Sequence, residues 1–173
     1  MRRGILVGFD FSAQSLRALE VAFGIACRRE IPLIVCHVIS PPAIGRDVIR
    51  AHIDPLMLSD RLGAMRRRCE EGNYPADVRV AYHVSIGEVS DVLSGLANTD
   101  DIQALVVGAG AGRDWEGSVV KALLKKCHAP LLTVSEDCCE ISPQGASKSR
   151  FVSVARRYLG ERLATVAGRY QTA

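Results

Sequence analysis

The sequence has no apolar run close to the roughly twenty residues that a membrane-spanning helix needs, so we expect no transmembrane segment. None of its six cysteines forms a C-x-x-C pair, which leaves no zinc-ribbon or thioredoxin-type motif. The four histidines show neither metal-ligand spacing nor a nucleophile with a base, so we assign no catalytic and no metal-binding residue. The first apolar run is short and is interrupted by Asp10, so it indicates a β-strand and not a secretory leader. We therefore expect a cytoplasmic protein.

Charge is concentrated in the last part of the chain. The whole sequence has a net charge of +3, yet the residues from Ser147 onward hold six basic side chains and one acidic one. The first 146 residues therefore carry a net charge of −2. A nucleic-acid-binding domain is typically basic and carries a recognition motif, and this chain contains no such motif.

Apolar, β-rich runs alternate with helical patterns over the first 136 residues. The predicted strands are Gly4–Phe9, Leu33–Ile39, Val78–Val84, Ala104–Gly108 and Leu131–Val134. Ser12 and the Asp54–Pro55 pair predict the starts of two helices, and further helices follow Gly87 and Gly117. The alternation predicts an α/β fold with a doubly wound, five-stranded parallel sheet of order 3-2-1-4-5 and helices on both faces.

That strand order makes strands 1 and 4 neighbours at the point where the winding reverses. Asp10 follows strand 1 and Gly108 ends strand 4, so both lie at the carboxyl edge of the sheet. Ligands of open α/β sheets bind in the crevice outside the carboxyl ends of the strands at such a point. The sequence therefore predicts a ligand crevice between Asp10 and the loop after Gly108.

The loop VVGAGAGRDWEGSVV is rich in glycine. Gly108, Gly110 and Gly112 let the backbone approach a ligand closely, and Gly117 and Ser118 open a helix whose first amides are free to bind an anion. This pattern favours a phosphate site, but a tight strand-to-helix connection that needs glycine for its shape alone explains it equally well. The loop matches neither the Walker A motif nor the G-x-G-x-x-G dinucleotide fingerprint.

Several segments, taken in order, resemble the universal stress protein family over about residues 3–136. They are ILVGFDFS with SLRALEVA, LIVCHVI, HVSIGEVSDVL, and ALVVGAG followed by GSVVKALLKKCHAPLLTV. The resemblance implies an α/β domain over residues 1–136, with residues 137–173 left as a linker and C-terminal helix. It also implies a homodimer formed through the fifth strand, Leu131–Val134.

Nucleotide-binding members of that family carry the pattern G-x2-G-x9-G-[ST]. The resemblance implies that Asp10 and the backbone of Val38 contact the adenine and ribose, and that the loop holds the phosphates. The loop positions implied as contacts are Gly108, Gly110 or Gly112 in place of the second glycine, Gly117, Ser118 and Val119. This loop is several residues shorter than the pattern, as in the nucleotide-free branch, but that branch lacks the Gly-Ser pair that this chain retains.

The resemblance therefore implies a dimeric stress-response protein that binds or senses an adenine nucleotide such as ATP, ADP or AMP. The alternatives are a nucleotide-free protein-interaction module of the same fold and a slow ATPase that uses the loop, Asp10 and a magnesium ion. No general base for hydrolysis is evident in the sequence.

The C-terminal residues predict a basic amphipathic helix after a linker at Ile141–Ser149. Its apolar face consists of Phe151, Val154, Ala155, Tyr158, Leu159, Leu163 and Val166. Arginines 156, 157 and 162 flank that face. Such a helix docks on its own domain or a dimer mate, or binds a protein partner or an anionic surface.

Overall fold

The computed structural model describes residues 3–40, 78–109, 118–135 and 139–142, together with residues 60, 63–64, 67 and 70–71. The strands are β1 (Gly4–Gly8), β2 (Leu33–Ile39), β3 (Val80–Ile86), β4 (Ile102–Gly108), β5 (Leu131–Val134) and β6 (Cys139–Ser142). The helices with described bounds are α1 (Ala13–Arg29), α2 (Val89–Ala97) and α3 (Ser118–Lys126).

The strands form one sheet in the order β3-β2-β1-β4-β5-β6. The first five in this order run parallel, which confirms the predicted α/β fold and the order 3-2-1-4-5. β1 pairs with β2 on one side and β4 on the other, so the winding reverses at β1. The position at which we predicted the ligand crevice, between β1 and β4, is therefore the point where the winding reverses.

β6 is a strand that we did not predict, and it lies within residues 137–173, which we assigned as a linker and C-terminal helix. It runs antiparallel to β5, with Leu131 opposite Ser142 and Val134 opposite Cys139. The predicted five-strand order leaves Leu131–Val134 at one edge of the sheet, but in the structure β6 occupies that edge. Four residues, Cys-Glu-Ile-Ser, are too few for a periodic pattern to reveal a strand.

Helices cover both faces of the sheet. Ile5 and Val7 of β1 belong to the core cluster under α1, whereas Leu6 belongs to the cluster under α2 and α3. All three side chains are fully buried, as expected for a central strand of a parallel sheet. The apolar run of β1 is continuous because its side chains are buried on both faces of the sheet.

α1 begins and ends at well-defined caps. Ser12 is the N-cap, as predicted, because its side chain accepts a hydrogen bond from the Ser15 amide. At the other end Glu30 adopts a left-handed conformation (φ 51°, ψ 45°), and its amide bonds to the Cys27 carbonyl at 3.1 Å. The positive charges of Arg28 and Arg29 in the last turn interact favourably with the negative end of the helix dipole.

The partner strand determines where β3 begins and ends. β3 pairs with all seven residues of β2, from Leu33 opposite Val80 to Ile39 opposite Ile86, and so lies two residues later than predicted.

Residues 60, 63, 64, 67 and 70 are helical, within or next to the helix predicted after Asp54, but its capping pair lies outside the described residues. The predicted C-terminal helix also lies outside them. Across the described part of the chain, no helix combines the length and apolarity that crossing a bilayer requires.

Candidate functional site

A cavity of about 180 Å³ opens at the carboxyl edge of the sheet, between β1 and β4. The ends of β1, β2 and β4 line it, together with the first residues of α1, α2 and α3. Four of the eight predicted contact residues belong to its wall: Asp10, Val38, Gly108 and Val119. Ser118 is the exposed first residue of α3, next to this wall. The other three, Gly110, Gly112 and Gly117, lie outside the described residues.

The polar side of the cavity is a short network around Asp10. Asp10 Oδ1 accepts hydrogen bonds from the Ser12 amide at 3.0 Å and the Ser12 hydroxyl at 2.5 Å. The Ser15 hydroxyl accepts from the Asp10 amide at 3.3 Å and donates to the Ser12 carbonyl at 3.0 Å. The loop between β1 and α1 is therefore bonded to the first turn of the helix at several points.

These bonds keep Asp10 ionised. Partial burial raises its pKa, but the hydrogen bonds from the Ser12 hydroxyl and amide and from Ser15 lower it more, so the pKa lies below the ordinary 3.8. Asp10 is also the one carboxylate among the described residues of the cavity wall. Near neutral pH the cavity therefore presents one negatively charged hydrogen-bond acceptor.

An aromatic cluster supports the loop that carries Asp10. Phe11 has a left-handed backbone (φ 67°), and its ring lies 4.9 Å from that of Phe9 and 5.0 Å from that of His37. His37 Nδ1 lies 2.8 Å from the Phe9 carbonyl oxygen, which can only accept, so Nδ1 carries the proton. A non-glycine residue in this conformation is strained, and the ring contacts hold it in place.

The opposite side of the cavity is apolar. Cys36 and Val38 of β2 and Val89 and Leu93 of α2 line it. Burial raises the pKa of the Cys36 thiol to about 12, so this thiol stays protonated and is a poor nucleophile. The wall therefore offers contact area to an apolar or planar group, without reactive chemistry.

Three helices begin at the cavity; α1 and α3 have no acidic residue in the first turn, whereas α2 has Asp91 there. The first amides of a helix lack partners within the helix and carry its positive end, which favours an anion. Within the described residues, no group of three or more histidine, cysteine or acidic side chains is arranged to hold a metal ion. The site thus combines one anionic acceptor, an apolar wall and helix amino ends.

Residues 1–135 match the family model described as the universal stress protein family. The chain belongs to the universal stress protein family. The match covers the whole of the parallel sheet, from β1 to β5. No curated protein sequence matches the chain.

Solved structures of universal stress proteins have the same fold. UspA from Lactobacillus plantarum is 18% identical with a TM-score of 0.62, over 78% of this chain and 99% of that one. A universal stress protein in complex with cAMP is 21% identical, with a TM-score of 0.54 over 78% and 97% of the two chains. One from Archaeoglobus fulgidus in complex with dAMP is 23% identical, with a TM-score of 0.51 over 76% and 97%.

Gly108 of this universal stress protein has a structural reason to be glycine. A Cβ atom built there would lie 2.6 Å from the Gln14 carbonyl carbon and 2.8 Å from the Ser15 nitrogen, and both are backbone atoms. The end of β4 therefore packs directly on the first turn of α1. At Gly108 this close packing explains the glycine without a ligand, which was one of the two explanations that the sequence left open.

Sequence reasoning missed part of the cavity wall. Ser15, Leu93 and Cys36 line it but were not predicted as contacts, and Phe11 behind it was not singled out. Leu93 reaches the cavity because α2 packs tightly on β1, where a Cβ at Gly8 would lie 3.0 Å from its side chain. The pattern after Gly87 predicted a helix at this position, but no local signal indicates which of its residues face a cavity.

Proposed function

We propose that this universal stress protein binds an adenine nucleotide in the cavity between β1 and β4 and acts as a cytoplasmic stress-response regulator. The observation that carries this proposal is that one cavity contains the ionised Asp10, an apolar wall and the amino ends of α1 and α3. The solved relatives in complex with cAMP and dAMP support the adenine class, since both of those ligands are adenine monophosphates.

The size of the cavity supports a particular placement of the ligand. A volume of about 180 Å³ is below the roughly 300 Å³ at which small-molecule pockets usually begin, so we assign the enclosed space to the nucleoside. We propose that the base contacts Val38 and Leu93 and that donors of the nucleoside bond to Asp10. The phosphates extend toward Ser118 and Val119, and Gly110, Gly112 and Gly117 complete their site. A magnesium ion, where ATP is the ligand, arrives with the phosphates.

Titration calorimetry of the full chain with AMP, ADP, ATP and adenosine tests the proposal, with CMP as the control for the base. We expect the adenine compounds to bind and CMP to bind at least about tenfold more weakly, since a smaller ring leaves apolar wall exposed to water. Binding of none of them at millimolar concentration overturns the proposal and leaves the nucleotide-free interaction module as the function.

We also propose that the chain forms homodimers through the edge of the sheet that contains β5 and β6. An unpaired strand edge is a template for pairing with another chain. Because β6 covers β5, the backbone groups available for such pairing belong to β6. The predicted C-terminal helix remains our candidate contact for a dimer mate, a protein partner or an anionic surface, because its sequence combines an apolar face with flanking arginines.

A further inference from the structure

We infer that Ser12 is a positioning residue, which occupies one oxygen of the Asp10 carboxylate and leaves the other for the ligand. The ligand half of this inference rests on the proposed nucleotide function. The positioning half concerns the protein alone and is testable without any ligand.

Ser12 bonds to a single oxygen of Asp10. Both of its donors, the amide at 3.0 Å and the hydroxyl at 2.5 Å, reach Oδ1. Hydrogen bonds to an ionised acceptor are shorter and stronger than neutral ones, so two of them fix the orientation of the carboxylate. Oδ2 accepts neither of these bonds, and we assign this oxygen to the ligand.

The proton of the Ser12 hydroxyl has a defined direction. The same oxygen accepts a hydrogen bond from the Ser15 amide at 3.1 Å, so its lone pair is used there and its single proton points to Asp10. Ser15 is buried, and its own hydroxyl proton bonds to the Ser12 carbonyl at 3.0 Å. Ser15 therefore holds Ser12 in the position from which it bonds to the carboxylate.

Ser12 thus has two separable tasks. As the N-cap of α1 it needs only an acceptor, which aspartate supplies as well as serine. As the partner of Asp10 it needs a donor, which aspartate lacks when ionised. Ser12→Asp retains the cap, removes the side-chain donor and adds a like charge, whereas Ser12→Thr retains both tasks.

Adenosine binding separates the two tasks, because adenosine is uncharged and a new carboxylate does not repel it through a phosphate. We expect Ser12→Thr to bind adenosine within about twofold of wild type. Ser12→Ala and Ser12→Asp are expected to bind at least about tenfold more weakly, the usual scale for a lost bond to a charged group. Ser94→Ala, which alters a buried serine of α2 that bonds to the Asp91 carbonyl, is the matched control and should not change binding. Wild-type affinity in Ser12→Asp would show that Ser12 acts only as a cap, which overturns the inference.

A carbon-13 NMR titration of the Asp10 carboxyl provides a readout without ligand. We expect its pKa to rise in Ser12→Ala and further in Ser12→Asp, and to stay low in Ser12→Thr. An unchanged pKa in Ser12→Ala overturns the positioning role. If the wild type binds no adenine compound, the proposed function fails, yet this titration still decides whether Ser12 holds Asp10.

Discussion

The two ends of the parallel sheet each have a cavity, and the larger one is not at the proposed site. The cavity at the carboxyl end measures about 180 Å³, whereas the one at the amino end measures about 810 Å³. The amino-end cavity lies against the last turn of α1, with Glu30, Arg79 and Asp101 among its lining residues. The carboxyl-end cavity lies against the first turns of helices, and Asp10 is the one charged side chain among its described lining residues.

Helix polarity and the hydrogen bonds around Asp10 are our reasons for placing the proposed anion site in the smaller cavity. α1 begins at the carboxyl-end cavity, where Ser12 and Ser15 line the wall, and ends at the amino-end cavity, where Ala26, Cys27 and Glu30 do so. The positive end of its dipole therefore lies at the smaller cavity and the negative end at the larger one. We therefore assign the nucleotide to the smaller cavity.

Alanine substitutions at Gly108 and Gly4 test the two ends and should have the largest effects. A Cβ at Gly108 meets only backbone of α1 within 2.8 Å, so the helix must move, at a cost of about 2–3 kcal/mol in the free energy of unfolding. A Cβ at Gly4 lies 2.7 Å from the tip of Ile34, which can rotate, and 2.9 Å from the Pro32 carbonyl, so we expect about 1–2 kcal/mol.

Binding distinguishes these two variants more sharply than stability does. Gly108→Ala displaces the turn that carries Ser12 and Ser15, and we expect it to abolish AMP binding in the folded protein. Gly4→Ala leaves that turn untouched and should retain wild-type affinity. Urea unfolding and calorimetry measure both quantities, and a Gly108→Ala variant that folds and binds normally contradicts the packing described here.

The glycines also show how far the sequence alone could lead. Strand order, the crevice and Asp10 were predictable, because apolar alternation and the ends of strands are local signals. The reason for Gly108 was not, since it depends on the distance between β4 and Gln14, nearly a hundred residues away in sequence. The cavity-facing positions of α2 were missed for the same reason. They depend on packing between segments that are distant in sequence, and a local hydrophobic pattern does not predict such contacts.

Removing one carboxylate at each end gives a second, smaller contrast. Asp10→Asn replaces an ionised acceptor with a neutral amide, and we expect AMP to bind about tenfold more weakly. Asp101→Asn alters an exposed carboxylate of the amino-end cavity and should leave the affinity within about twofold of wild type. The reverse result in calorimetry, with Asp101→Asn weakened and Asp10→Asn normal, would place the ligand in the larger cavity.

The smallest expected effect is the pH dependence of stability that Asp10 contributes. Its pKa in the folded protein lies below the ordinary 3.8, so the unfolded chain takes up a proton more readily than the folded one. The stabilisation by Asp10 is therefore complete above its ordinary pKa and is lost as the pH falls through the lower, folded value.

Urea unfolding of wild type and Asp10→Asn between about pH 6 and about pH 2.5 measures this contribution as a difference in free energy. We expect the advantage of the wild type to shrink toward the acidic end. In the Ser12→Ala background the same comparison should show a weaker pH dependence, because the donors that lower the Asp10 pKa are reduced. An advantage that grows as the pH falls would mean that the effect of burial on the Asp10 pKa exceeds that of the bonds from Ser12. Asp10 would then take up a proton more readily than an ordinary aspartate, which contradicts its proposed role as an anionic acceptor.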